Sequence, residues 1–305
     1  MANFHTTSSA IRTAVAERSD DTALGKSIGH STRRGASRPA AIPKMRRSLG
    51  SFSQAVAGLL LVCLNLSSAE PRVLVYQRNG KGFVHDNLAA SAAAIRELGA
   101  RSGFGVEVSS NAAVFTDESL KRFQAILFAN SNNEAFEKDE QRAAFQRFIR
   151  AGGGFMGIHS STGSERQWDW FQQMQGAKFL RHSPMQAFTA RVVDSAHPAT
   201  APLGGTWTRT DECYFFTNLN QRLRVLLAVE TNSLRDPQLG RMPAQRASGM
   251  YPLAWCQEFE GGRQFYTSLG HKIEHYADPV FRQHLLGGLR WVLGETNLTP
   301  NPPLP

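Results

Sequence analysis

The chain has 305 residues, 41% hydrophobic and 19% charged, enough for one large domain or two small ones. Its formal net charge of +9 is unevenly spread: residues 1–69 hold nine Lys and Arg against three Asp and Glu, which leaves 25 against 22 in residues 70–305. The basicity therefore belongs to the leader. No clustered basic face follows it, which argues against a nucleic-acid partner.

Residues 1–44 are rich in Ser, Thr, Arg and Ala without apolar periodicity, and are expected to be disordered or an upstream extension of the true product. Met45-Arg46-Arg47 opens a different pattern. An apolar run follows at 55–66, then Ser67-Ser68-Ala69, the charged, apolar and small-residue layout of a secretory signal peptide over 45–69. The run is too short to span a bilayer. Met45 is the expected start, and the mature chain is expected in the periplasm or medium with no stable membrane insertion. The alternative is a disordered arm ahead of an uncleaved anchor. Cys63 follows Val62, where a lipoprotein would carry a small residue. Cys213 and Cys256 survive cleavage and form either one disulfide or two buried thiols.

From residue 70 the chain alternates. Residues 72–76 form an apolar run predicted as a buried first strand, and 85–98 an Ala-rich helix closed by Gly99. A short strand is expected at 106–109, a helix start at Asp117, and a third strand at 125–129. Residues 134–150 carry Phe145, Phe148 and Ile149 on one helical face, with Gly152 as the stop. A fourth strand is expected at 155–158. This alternation predicts an α/β domain with a parallel sheet. After residue 185 the texture turns to strands, at 188–193, 224–229, 253–259 and 263–267, before a helix at 279–293 and a Pro-rich tail at 297–305. Without an internal linker, 70–296 reads as one domain.

Histidine is the residue type to follow, because its charge changes near neutral pH. His159 ends the fourth strand, at the edge where ligands bind in open parallel sheets. His85 follows the first strand and His271 the strand at 263–267, so all three are expected around one crevice. His182, in a loop, is a candidate binding residue, while His197 before Pro198 and His284 in the last helix are expected to serve turns and packing. Asp211 and Glu212 are natural carboxylate partners for an imidazole. Neighbours on a strand face opposite sides, and Glu212 rather than Cys213 is expected to face the crevice.

Ser160 and Ser161 stand beside His159, but Gly-Ile-His-Ser-Ser is not the Gly-x-Ser-x-Gly of a serine nucleophile elbow. They are expected to bond substrate hydroxyls or to cap the next helix. His271-Lys272-Ile273-Glu274-His275 spells an H-x-x-E-H zinc pattern, yet Gly270 and Asp278-Pro279 leave little room for the helix that pattern needs. No resident cofactor is expected, with a divalent metal on His159, His271 and Glu212 left open. Trp168 and Trp255 are candidates to stack on the apolar face of a ligand. Gly80, Lys81 and Gly82 lack the spacing of a phosphate-binding loop.

Several blocks in order resemble the ThuA-like, or trehalose-utilisation, family. They are Gly82-Phe83-Val84-His85-Asp86, Gly153-Gly154-Phe155-Met156-Gly157-Ile158-His159-Ser160, Gly176-Ala177-Lys178-Phe179 with His182, and His197-Pro198. Asp211-Glu212-Cys213-Tyr214, Pro252-Leu253-Ala254-Trp255 and residues 262–271 complete the set, which runs from about 72 to 295. The resemblance implies a flavodoxin-like, class I glutamine amidotransferase-like three-layer sandwich with a mainly parallel central sheet. In that fold a cysteine stands at the strand-to-helix elbow. Here His159 takes its place, which removes thiol acyl transfer. The resemblance also implies a small-molecule sugar partner. The expected chemistry is general acid–base catalysis on a sugar derivative such as a keto-glycoside. In it His159 and His271 move protons, Glu212 orients one of them, and His85, Ser160, His182, Trp168 and Trp255 bind the sugar. A non-catalytic carbohydrate-binding protein and a metal-dependent hydrolase are the alternatives.

Overall fold

The computed structural model of the protein describes residues 70–239 and 249–295. The expected leader over 1–69, the tail at 297–305 and most of the 235–248 loop lie outside the described residues. In chain order the elements are β1 (Arg72–Tyr76), α1 (Leu88–Ser102), β2 (Gly105–Ser109), α2 (Asp117–Leu120), β3 (Ala125–Ala129), α3 (Asp139–Arg150) and β4 (Gly154–Ile158). Next come α4 (Asp169–Gln175), β5 (Lys178–His182), β6 (Gln186–Val192), β7 (Thr206–Asp211), β8 (Tyr214–Thr217) and β9 (Arg224–Glu230). The last are β10 (Met250–Phe259), β11 (Gly262–Thr267) and α5 (Pro279–Val292).

A nine-stranded sheet runs in the order β2-β1-β3-β4-β11-β10-β9-β6-β7. Its first five strands are mutually parallel, and the other four continue it antiparallel. β5 and β8 pair separately as an antiparallel ribbon. Side chains alternate across a strand, and both faces of the parallel half are covered. Val73, Val75, Leu127, Met156 and Ile158 pack toward Ile95 and Leu98 of α1 and Leu285 and Leu289 of α5. Leu74, Tyr76, Ile126, Phe128 and Phe155 pack the opposite way, on Phe145 and Ile149 of α3 and Phe171 and Met174 of α4. This is why β1, β3 and β4 read as unbroken apolar runs. The expected three-layer α/β sandwich is present, with a parallel half that carries the histidine-bearing tips and an antiparallel extension beside it.

Two helices begin later than their composition predicts. α1 starts at Leu88, which leaves His85 in the loop ahead of it. α3 starts at Asp139, because the amides of Ala135 and Phe136 donate to the buried Glu165 carboxylate at 2.9 and 3.0 Å, holding that segment in an irregular course. No described helix is long and apolar enough to cross a membrane.

Candidate active site

β4 delivers His159 at its carboxyl end. The residue turns out of the strand with φ of 51°, the left-handed region that few non-glycine residues occupy. Gly157 makes the close approach possible, since a Cβ there would run into Ser161 Oγ and Gln175 Oε1. The turn is then pinned by hydrogen bonds. Ser161 Oγ donates to Gln175 Oε1 at 2.9 Å, and the Gln175 amide returns a bond to the Ser161 carbonyl at 2.7 Å. Tyr266 Oη donates to the His159 carbonyl at 2.8 Å. Ser161 thus serves the backbone, not a substrate.

The His159 ring is fully buried. Its Nδ1 lies 2.7 Å from the Ser268 carbonyl. A carbonyl can only accept, so the proton sits on Nδ1 and Nε2 presents a lone pair. Around that lone pair gather Tyr214 Oη at 2.7 Å, His85 Nε2 at 3.1 Å, His271 Nδ1 at 3.2 Å and Glu212 Oε2 at 3.7 Å. The three imidazoles meet nearly edge to face, with interplanar angles of 77–83°. Glu212 is shared between two of the crevice histidines: Oε2 is 3.1 Å from His271 Nδ1, and Oε1 is 3.2 Å from His182 Nδ1.

Environment separates the titrations of these rings. Burial, reinforced by the neighbouring His85, holds His159 well below the ordinary histidine range. Burial and then His271 bring His85 down to about 4. The Glu212 hydrogen bond raises His271, against the opposing effect of its partial burial. A neutral inner pair thus stands next to an outer imidazole that favours its proton.

The group opens into a cavity of about 430 Å³, within the range of small-molecule sites. Phe83, Phe179 and Tyr214 give it aromatic walls; Asn132, Ser160 and Arg166 add polar ones beside His85, His182, Glu212 and His271. Ser160 Oγ is buried without a hydrogen-bond partner among the described residues, an arrangement that suits a ligand hydroxyl. Three cavities elsewhere among the described residues are larger, at about 500, 680 and 710 Å³, but none is lined by a histidine.

The structure brings together six of the eight residues expected in the crevice: His159, His271, Glu212, His85, Ser160 and His182. The two tryptophans are a correction. Trp255 lies in the middle of β10, is 1% exposed, donates from Nε1 to the Gln175 carbonyl at 2.8 Å and packs on Tyr266. Trp168 is half-buried, stacks on Trp170 and Phe171 against the core of the α3–α4 layer, and lines a different cavity. Neither lines the histidine cavity: Trp255 fills core volume and Trp168 sits on the other side of the α3–α4 packing. The H-x-x-E-H spacing does not build a shared site either: residues Ile273–Ala277 form a 3₁₀ turn that aims His275 away, with Nε2 3.0 Å from the Thr210 carbonyl and Nδ1 3.3 Å from Asp211. His197 and His284 pack in the core, and Cys213 and Cys256 are buried free thiols.

Tyr214 was missed at sequence level, although it stands two positions from Glu212 and shares its side by simple alternation. Asp211 also has more work than its sequence suggested. Fully buried, it accepts from the amides of Glu212 at 2.9 Å, Gly270 at 2.9 Å and His271 at 3.4 Å, and so ties the β7–β8 junction to the His271 loop.

A parallel sheet whose fourth strand ends in a buried, backbone-pinned histidine defines an α/β protein of glutamine amidotransferase-like fold without the elbow thiol. A family model described as trehalose utilisation, ThuA, matches residues 72–292. The chain belongs to the ThuA family. A solved ThuA-like protein from Bacteroides uniformis aligns over 74% of this chain and 93% of its own, at 21% identity and a TM-score of 0.59. A second from Parabacteroides merdae aligns over 76% and 93%, at 16% identity and a TM-score of 0.56. A cytoplasmic protein from Salmonella typhimurium aligns over 73% and 98%, at 11% identity and a TM-score of 0.52. At these identities the likeness speaks for the fold alone. No curated protein matches the sequence.

Proposed function

We propose that this ThuA-family protein acts on a carbohydrate or sugar derivative, a keto-glycoside being the favoured class, by general acid–base chemistry in the 430 Å³ crevice. The observation that carries this is the Glu212 carboxylate, set between His182 and His271 in the cavity wall. A carboxylate flanked by imidazoles can take a proton from a bound sugar while a flanking ring returns one to a developing oxyanion. His159 is better suited to anchor than to shuttle, since its ring is buried and its proton is held by Ser268. The unpartnered Ser160 hydroxyl supplies a hydrogen bond for a sugar hydroxyl. Export of the mature chain belongs to the same proposal and rests on the residue pattern at 45–69; N-terminal sequencing of secreted material tests it.

Glu212→Gln keeps the shape and removes the base. Against a panel of disaccharides and their keto forms, turnover is expected to fall ~100-fold or more while ligand-induced thermal stabilisation persists. A change in affinity without any turnover in the wild type would leave a binding protein. Absence of stabilisation by every sugar would sink the carbohydrate assignment.

A further inference from the structure

We infer that His85 Nε2, His159 Nε2 and His271 Nδ1 form a binding site for a divalent transition-metal ion, with zinc the best fit, the cavity side open as the fourth position and Glu212 Oε2 beside it. The inference deepens the acid–base proposal and rests on the same crevice.

Proton counting is the first reason. With its proton committed to Ser268, His159 has one lone pair, on Nε2. Tyr214 Oη, His85 Nε2 and His271 Nδ1 all stand 2.7–3.2 Å from it. One imidazole lone pair accepts one strong hydrogen bond, so two of these three polar atoms crowd it without bonding to it, His271 Nδ1 being held by Glu212 Oε2 at 3.1 Å instead. Glu212 Oε2, an acceptor, also faces His159 Nε2 across 3.7 Å with no proton between them. Metal-ligating atoms crowded in this way are what a cation resolves.

Distance is the second. A zinc–imidazole bond is 2.0–2.1 Å long, so two such bonds at a tetrahedral angle put their nitrogens roughly 3.3 Å apart. The His159–His85 and His159–His271 separations are 3.1 and 3.2 Å. All three ligand atoms lie within 4.8 Å of one another, and Glu212 Oε2 stands 3.7 Å from His159 Nε2 and 3.1 Å from His271 Nδ1. Three imidazole nitrogens suit zinc and its neighbours rather than magnesium or calcium.

Support around the ring is the third. Ligating histidines usually donate their other nitrogen to a carbonyl or carboxylate. His159 already does so through Ser268, and its backbone is fixed by Tyr266. His271 is placed by Asp211 through its main-chain amide. The site is thus held by three separate segments, at the end of β4, after β1 and after β11.

An ion there would polarise a sugar hydroxyl or carbonyl entering from the cavity. His271 would then act as a ligand, leaving the proton work to Glu212 and His182. The Tyr214 hydroxyl would be released to donate to the incoming oxygen.

The test uses the full chain, stripped with chelator and dialysed against zinc or cobalt(II). One metal per chain by elemental analysis is expected, with the intense visible spectrum of tetrahedral cobalt. His85→Ala and His159→Ala, shown by circular dichroism to be folded, should each weaken binding by more than the roughly 10–100-fold that an outer-shell change costs. His182→Ala should stay within that range. Substoichiometric metal in the wild type, or equal retention by the folded His85→Ala and His159→Ala chains, overturns the site. Sugar turnover by metal-free protein would leave the acid–base proposal standing without the ion. Tight metal binding with no sugar stabilised would keep the site and remove the carbohydrate.

Discussion

His159 Nδ1 sits 2.7 Å from the carbonyl of Ser268, which joins the end of β4 to the segment just after β11 and fixes which nitrogen of the ring faces the cavity. Everything the crevice can do follows from that one bond, because it turns Nε2 into an acceptor at the centre of His85, His271, Tyr214 and Glu212. Without it the ring could flip its tautomer, and the cluster would lose its direction.

The elbow has a measurable cost. At φ of 51° a side chain pays about 1 kcal/mol or more that glycine does not. His159→Gly should therefore be more stable than His159→Ala by about 1 kcal/mol in urea unfolding, although both lose the imidazole. Equal stabilities, or a more stable alanine variant, would show that the backbone relaxes and that the position is not strained.

Asp211 is the next position to test. Its carboxylate is fully buried, with Arg209 at 3.1 Å and three main-chain amides as donors. Asp211→Ala leaves the buried Arg209 guanidinium with only Asp278 at 3.8 Å and three amides short, a loss of ~3 kcal/mol. Asp211→Asn keeps acceptors for some of these donors and should lose less. If Asp211→Ala unfolds at the wild-type denaturant concentration, the carboxylate is not what ties the His271 loop to β7.

Cys213 and Cys256 should be silent to thiol reagents in the native state. Burial raises both thiols, Cys256 up to about 12 and Cys213 further still, so almost no thiolate exists at neutral pH. In a Cys63→Ser background, labelling with an aromatic disulfide is expected only after unfolding, when two thiols per chain appear. Rapid labelling of the folded protein would contradict the burial of both side chains.

Much of this was legible in the sequence because parallel strands covered on both faces must be apolar throughout, and β1 and β3 carry that pattern without interruption. The same logic put His85, His159 and His271 at one edge before any coordinate was known. β7 escaped because its buried face is Trp207, Arg209 and Asp211, so alternation there reads as polar. β5 and β8 escaped because they pair with each other outside the main sheet. The tryptophans misled for a related reason: large aromatic residues near a crevice in sequence fill core volume more often than they line it, and no local pattern separates the two. Tyr214 needed only the alternation already used for Glu212.

The buried pair His197 and His284 predicts how stability depends on pH. Burial holds His197 down to about 4 and His284 to about 3, in contact with Ala199, Thr267 and the more distant Arg224, Asp194 and Arg209 charges. In the unfolded chain each returns to about 6.5. Both are neutral in the native state, so below pH 6.5 the unfolded state binds more protons and stability falls as pH falls; above 6.5 their contribution is constant. Between pH 6.5 and 4.5 each depressed histidine should remove about 2–3 kcal/mol. His284→Gln keeps a group able to bond the Ala199 carbonyl but cannot titrate. It should be less stable than wild type at pH 7, with the gap closing by that amount at pH 4.5 in guanidinium unfolding. Parallel stability curves for the two proteins across this window would show that His284 is free to take its proton in the folded chain.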